Sequence, residues 1–365
     1  MRFKKFFQNK VFLNLILFFT IFLITDIFYS NFINKSKIKG SCISNEERFY
    51  FLEKNCSFKQ KYIKNISQYN VYTNEFGLRY SGKKYDKDKK NIFYLGDSFT
   101  YGLGLDYSNT YVGILENKNI SYNHFNFGLQ GYSPVVYKYQ LNKMINKKIY
   151  PKKIILALDY TDLFEDSDRW IEPLNETLPP TLKNFLGDND NNESFKDRNL
   201  KVTRILSRSI NGFFRDIRLA TKNFVNQNAQ KQVEKTEIGR FLYSNEGAFI
   251  KKNFSTKSLK HRAKDLEKTL KDISNIAKKI NSDFYILIYP WPDTLAYGQN
   301  NFNWEKFVSN FCIKNCKMII NTFPKFLEYK NKNIYWHKDL FIKEDLHFNK
   351  FGNSLIAQEI LKVTE

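Results

Sequence analysis

The stretch Asn91-Ile-Phe-Tyr-Leu-Gly-Asp-Ser-Phe-Thr-Tyr-Gly102 runs from an apolar strand through Gly96-Asp97-Ser98 into a helix-compatible segment. A serine on such a strand-to-helix turn is presented beyond the carboxyl end of its strand, where open α/β sheets bind ligands. Far downstream the chain reads Asp345-Leu-His347-Phe-Asn349, ahead of its last amphipathic stretch. A serine hydroxyl is almost wholly protonated near neutral pH and needs a base. An imidazole can supply that base, and a carboxylate can hold the imidazole in the right tautomer. Ser98, His347 and Asp345 are therefore candidate nucleophile, base and orienter, and the combination points to ester chemistry. Glu344, three residues before His347, is the alternative acid. The plainer readings are that Ser98 caps the following helix and that His347 only begins one.

Outward from this stretch, short apolar runs alternate with longer amphipathic ones, a pattern that favours βαβ units and a parallel sheet. The candidate strands are 91–95, 122–127, 153–158, 283–289 and 317–320, with helices over 107–116, 258–280 and 303–311. The alternation breaks between about 163 and 255, where Gly187-Asp-Asn-Asp-Asn-Asn-Glu193 reads as a turn or disordered stretch and 200–228 is basic and helix-like. An insertion of this size can form a lid or a partner-binding subdomain.

Residues 1–10 carry Arg2, Lys4, Lys5 and Lys10, and 11–32 are predominantly apolar. That length approaches the roughly 20 residues that span a bilayer. The flanking cations predict a cytoplasmic N-terminus with the rest of the chain outside. No small-residue cleavage pattern follows, so an uncleaved anchor is expected rather than a removed signal peptide. Residues 33–88 are polar and turn-rich, an exported extension expected to pack on the domain that follows, 89–365. In an oxidising compartment the four cysteines read as two local disulfides, Cys42 with Cys56 and Cys312 with Cys316, rather than as a metal site. The net charge of +21 is spread along the chain, and export argues against a nucleic-acid partner. A basic outer surface suits anionic headgroups or an acidic polysaccharide. No glycine-rich nucleotide loop is present, and no cofactor is implied.

Gly96-Asp97-Ser98-Phe99, Asn126-Phe-Gly-Leu-Gln-Gly131 and Asp345-Leu-His347, in that order, resemble the three sequence blocks of the SGNH (GDSL) hydrolase family. The resemblance covers roughly residues 70–365. It implies a three-layer α/β/α, flavodoxin-like fold with a parallel five-stranded sheet, here with an N-terminal transmembrane helix and a helical insertion. It implies an oxyanion hole built from the backbone N–H groups of Ser98 and Gly131. The family's third block is Gly-x-Asn-Asp, whereas Ile155-Leu-Ala-Leu-Asp-Tyr-Thr-Asp162 puts Thr161 at the Asn position and keeps Asp162. A threonine hydroxyl reaches less far than an amide, so the third donor is in question.

Membrane-anchored members of the family commonly modify surface polysaccharides. The resemblance therefore implies a single-pass bacterial inner-membrane protein with a periplasmic catalytic domain. Its expected activity is hydrolysis of O-acyl groups, acetyl above all, on a cell-envelope carbohydrate through a Ser-His-Asp triad. O-acyl transfer with the same residues is one alternative. A noncatalytic glycan-binding or scaffold protein, serving a membrane-bound acyltransferase, is another. Asp97, Asp162 and Trp291 are candidate substrate contacts; Trp291, in Tyr289-Pro-Trp-Pro292, reads either as a platform for a sugar ring or as a packing residue. Asp159 reads as an exposed loop carboxylate, with substrate orientation as its alternative role. His124, His261 and His337 show no ligand spacing and read as structural.

Overall fold

Two hairpins of four-residue strands precede the expected sheet: β1 (Ile43–Glu46) with β2 (Phe49–Leu52), and β3 (Ser57–Gln60) with β4 (Tyr69–Tyr72). They lie in the stretch that reads as merely polar and turn-rich, because strands this short leave little room for an alternating pattern. The computed structural model describes residues 14, 17–26, 42–46, 49–62, 68–165, 256–299, 302–343 and 345–364. The chain divides into two compact units, residues 1–41 with 186–234 and residues 42–185 with 235–365. Both hairpins and the sheet belong to the second unit.

The sheet is β5 (Lys90–Leu95), β6 (Tyr122–Asn126), β7 (Pro151–Leu158), β8 (Asp283–Ile288) and β9 (Met318–Asn321). Its order is β6-β5-β7-β8-β9, parallel throughout, as the five apolar runs predict. Every residue of β7 from Lys153 onward is buried, which is why the strand reads as a continuous apolar run: both faces of a parallel sheet are covered. The longer helices are α2 (Tyr111–Lys118), α3 (Pro134–Asn146), α5 (Thr256–Lys279), α7 (Trp304–Asn315), α8 (Phe323–Lys332), α9 (Trp336–Leu340) and α10 (Lys350–Thr364), and α2, α5, α7 and α10 pack directly on the strands. Three short helices, α1 (Ser98–Tyr101), α4 (Asp162–Glu165) and α6 (Pro292–Tyr297), each follow the carboxyl end of a strand. The chain leaves β5 toward β6 and leaves β7 toward β8, so the order reverses between β5 and β7. Open α/β sheets bind ligands beyond the carboxyl ends of the strands at such a reversal, and Ser98 begins the helix just past the end of β5.

Both cysteine pairs are bonded, Cys42 with Cys56 and Cys312 with Cys316, at Cα separations of 6.1 and 4.7 Å. The first closes the segment that holds the β1–β2 hairpin, and the second spans the end of α7. Of the expected anchor, 14 and 17–26 are described and helical, with Leu17, Phe18, Phe19, Ile21, Leu23 and Ile24 exposed. No helix among the described residues is long and apolar enough to cross a membrane. The remainder of 11–32 and most of the insertion at 163–255 lie outside the described residues.

One buried charge in this core has a measurable consequence. Glu116 on α2 is 7% exposed; its Oε1 accepts from the Ser81 hydroxyl at 2.9 Å, and its Oε2 is buried without a partner. Burial raises its carboxyl above the usual range, against the pull of the Ser81 hydrogen bond and of Lys83. A carboxyl raised in the folded state stabilises fully below its unfolded pKa of about 4.3 and loses that contribution as pH rises. Glu116→Gln is therefore expected to raise the melting temperature at pH 7.5 and to change it little at pH 4.5. Equal shifts at the two pH values would show that the charge is not what matters.

Candidate active site

Ser98 owes its position to a turn that only glycine can make. A Cβ on Gly96 would come within 1.9 Å of Thr100 Oγ1, and Thr100 cannot swing aside freely because Tyr111 donates to that same oxygen at 2.8 Å. Asp97 then caps α1 by accepting from the Phe99 N–H at 2.9 Å. The helix ends at once on Gly102, whose φ of 78° is left-handed. Ser98 is thus carried on a single short turn, half-buried just past the end of β5.

The base arrives on a loop between α9 and α10. Phe341 and Phe348 form an antiparallel bridge across it, and Ile342 N donates to His347 O at 2.9 Å. Asn349 locks its base, donating to the carbonyls of Asp339 and Phe341 at 2.8 and 3.2 Å while its own Oδ1 caps α10 from Phe351 and Gly352. In this frame His347 Nε2 stands 2.8 Å from Ser98 Oγ, and His347 Nδ1 stands 2.5 Å from Asp345 Oδ1. The His347 backbone N–H also donates to that Asp345 oxygen, at 2.8 Å. The carboxylate therefore requires Nδ1 to carry the proton, which leaves Nε2 as the acceptor for the serine hydroxyl. Phe99 packs against the imidazole with ring centroids 4.6 Å apart.

Burial pushes the Asp345 carboxyl up, but the His347 charge and the hydrogen bonds from His347 and Tyr62 outweigh it and hold it below the usual range. Asp345 thus stays ionised at working pH. Glu344 lies outside the described residues. Tyr62, from the chain just past β3, has no counterpart in the sequence reading. Its hydroxyl donates to Asp345 Oδ2 at 2.8 Å and lies 3.3 Å from His347 Nδ1.

The loop 126–131 is fastened to α1. Asn126 Nδ2 donates to Thr100 O at 2.9 Å, and its Oδ1 accepts from Gly128 N at 2.9 Å. A Cβ on Gly128 would lie 2.2 Å from Tyr101 N, so this glycine is required for backbone to lie on backbone. Gly131, with φ 67°, ends the loop, which the first hairpin braces: Tyr50 donates to Gln130 O, and Tyr132 donates to Tyr50 O at 2.5 Å.

The third block differs from expectation. Asp159 is not an exposed loop carboxylate: it is 2% exposed and accepts four hydrogen bonds, from Thr161 N at 2.8 Å, Thr161 Oγ1 at 2.7 Å, and Tyr289 OH and Trp291 Nε1 at 3.2 Å each. Burial raises its carboxyl above the usual range, and these four bonds offset that only in part. The one proton of the Thr161 hydroxyl is committed to Asp159 and is therefore not free to serve as the expected third donor. Trp291 is buried against Phe99 and Tyr160 and does not present an open face to a sugar. Asp162 is buried too, accepting from Asp159 N at 2.9 Å and Tyr137 OH at 3.2 Å, and Asp97 serves as the α1 cap. These two carboxylates hold backbone, a task the sequence does not distinguish from substrate contact. His124 lies between Tyr94 OH and Asn119 O at 2.9 Å each, and burial pushes it down to about 4, which keeps it neutral.

No family model matches the sequence, and no curated protein does either. Solved structures similar to this chain include a member of the lipolytic protein G-D-S-L family from Veillonella parvula, at 14% identity, covering 75% of this chain and 98% of that one with a TM-score of 0.41. The psychrotrophic esterase EstA from Pseudoalteromonas is similar at 13% identity, covering 75% and 96%, TM-score 0.39. The acetylxylan esterase Axe2 from Geobacillus stearothermophilus is similar at 12% identity, covering 75% and 93%, TM-score 0.39. With likenesses this distant, the chemistry of the chain is read from the geometry of its own residues.

Proposed function

We propose that this chain is an SGNH-type serine ester hydrolase that removes O-acyl groups from a cell-envelope carbohydrate. The observation that carries the reading is the continuous relay from Ser98 Oγ through the His347 ring to Asp345, at 2.8 and 2.5 Å. His347 Nε2 takes the Ser98 proton as Oγ attacks the ester carbonyl. The oxyanion is received by the backbone N–H groups of Ser98 and Gly131. Collapse breaks the ester bond, with the imidazolium protonating the leaving sugar oxygen and the acyl group left on Ser98. A water, deprotonated by His347, then releases the acid and restores the serine.

Two disulfides and a basic, apolar-flanked N-terminus support an exported, membrane-tethered enzyme, and the charge of +21 suits an acidic glycan. If a sugar hydroxyl reaches the acyl-enzyme before water, the same residues perform transfer. The engagement of Thr161 with Asp159 favours a second reading, a glycan-binding protein with a retained but idle triad.

The test is acetate release by the full-length protein from p-nitrophenyl acetate and from an acetylated acidic polysaccharide, with intact-mass detection of an adduct on Ser98 after a phosphonate ester. Turnover with a Ser98 adduct supports the esterase. Glycan binding without turnover or adduct supports the second reading. Because Thr161 already donates elsewhere, Thr161→Ala is expected to keep kcat within about threefold, whereas loss of a true oxyanion donor lowers it about 100- to 1000-fold. A drop of the latter size would put the Thr161 hydroxyl on the oxyanion.

A further inference from the structure

The end of β3 reaches both arms of the triad. Gln60 Oε1 accepts from Tyr101 OH at 2.8 Å, which ties the strand to the helix that carries Ser98. Two residues later Tyr62 meets the acid. Each Asp345 oxygen then has its own donors: Oδ1 takes the His347 ring and backbone N–H, and Oδ2 takes the Tyr62 hydroxyl. Because Nδ1 carries a proton, the Tyr62 proton has only Oδ2 to go to, and the phenol oxygen 3.3 Å away is a secondary acceptor for the same Nδ1–H. The two rings meet edge to face at 87°, with centroids 5.5 Å apart.

We propose that Tyr62 is a positioning residue of the triad, contributed by the N-terminal extension: it fixes the rotamer of Asp345 and tempers the negative charge that this carboxylate presents to His347. The proposal rests on the esterase reading for its catalytic meaning, but its electrostatic content stands without turnover. Burial, and next the Asp345 charge, raise the Tyr62 phenol far above its ordinary value, so it remains a neutral donor at any working pH. Among the described residues, the other ionisable groups near the pair are Asp97, next to Ser98, and Tyr69, beside Tyr62. Neither donates to Asp345 Oδ2.

Removing the hydroxyl concentrates more of the Asp345 charge on the His347 side and holds the protonated imidazole more tightly. Tyr62→Phe in the full-length protein is therefore expected to move the His347 titration midpoint upward by about half a unit or more, read by NMR of 15N-histidine-labelled protein. His347→Gln assigns the signal. In kinetics, the acid limb of kcat/KM moves up with it, and kcat on p-nitrophenyl acetate falls about tenfold with KM unchanged, as expected for a group that acts through the base. Tyr72→Phe, on the exposed side of β4, serves as the control and leaves both unchanged. An unchanged His347 midpoint in Tyr62→Phe overturns the proposal, whatever the rate does. Absence of turnover in the unaltered protein overturns the esterase reading instead, and the titration still decides the role of Tyr62.

Discussion

Ser98→Ala and His347→Ala are each expected to lower kcat for acetyl-ester hydrolysis by about 10,000- to 1,000,000-fold, with KM nearly unchanged. In the proposed mechanism the nucleophile and its base form one functional unit: without Ser98 the imidazole has no proton to take, and without His347 the serine remains a neutral alcohol. The double variant should therefore be no worse than either single one. Asp345→Asn should cost about 10,000-fold, because an amide facing Nδ1 favours the tautomer that protonates Nε2. What survives is the rate that ester binding and the proposed backbone donors supply without a nucleophile. The measurement is steady-state turnover combined with rapid mixing, in which the burst of acyl-enzyme disappears in Ser98→Ala. A Ser98→Ala protein with more than about a tenth of the original activity would remove Ser98 from the mechanism, since no triad nucleophile is that dispensable.

The residues that declare themselves in the sequence do so because their surroundings are local. The central strands β5, β7 and β8 are buried along nearly their whole length, so each carries a continuous apolar run, whereas the edge strands β6 and β9 are only part-buried. Gly96-Asp97-Ser98 is legible because the steric demand on Gly96 and the Asp97 cap both fall within four residues of the nucleophile. Asp345 and His347 are legible for the same reason. Tyr62 is not, since it meets Asp345 across 283 residues, and nothing about an isolated tyrosine in a polar segment announces such a partner. The Asp159 cluster fails in another way. Sequence shows the threonine but not the competition for its proton, which depends on a carboxylate being dehydrated between β7 and the Tyr289-Pro-Trp-Pro292 turn. Among the four short strands, β2 gives no alternation at all, because the fold buries all four of its residues.

Arg79→Met is expected to destabilise the sheet-bearing unit by about 3–5 kcal/mol, the cost of leaving three buried carbonyls without a donor at roughly 1–3 kcal/mol each. Arg79 is 1% exposed, and no carboxylate pairs with it among the described residues. Its charge is met instead by three aromatic faces, Tyr101 at 4.7 Å, Tyr69 at 5.4 Å and Tyr107 at 5.9 Å, and by the carbonyls of Tyr101, Gly102 and Leu105, the first two at 2.7 and 2.9 Å. Replacing a buried ion pair by apolar residues can be nearly neutral when both partners leave together. Here the partners are backbone and cannot leave, so a methionine fills the volume and strands three acceptors. Two of those carbonyls belong to the end of α1, so the same substitution loosens the turn that aims Ser98, and kcat should fall in whatever protein remains folded. Arg79→Lys keeps the charge, but its single ammonium cannot span the carbonyls as the guanidinium fork does, and it should recover only part of the loss. Thermal unfolding of the three proteins ranks them; a methionine variant within about 0.5 kcal/mol of the original, the range of an ordinary surface substitution, would mean that the tyrosine cage and carbonyls contribute no net stability.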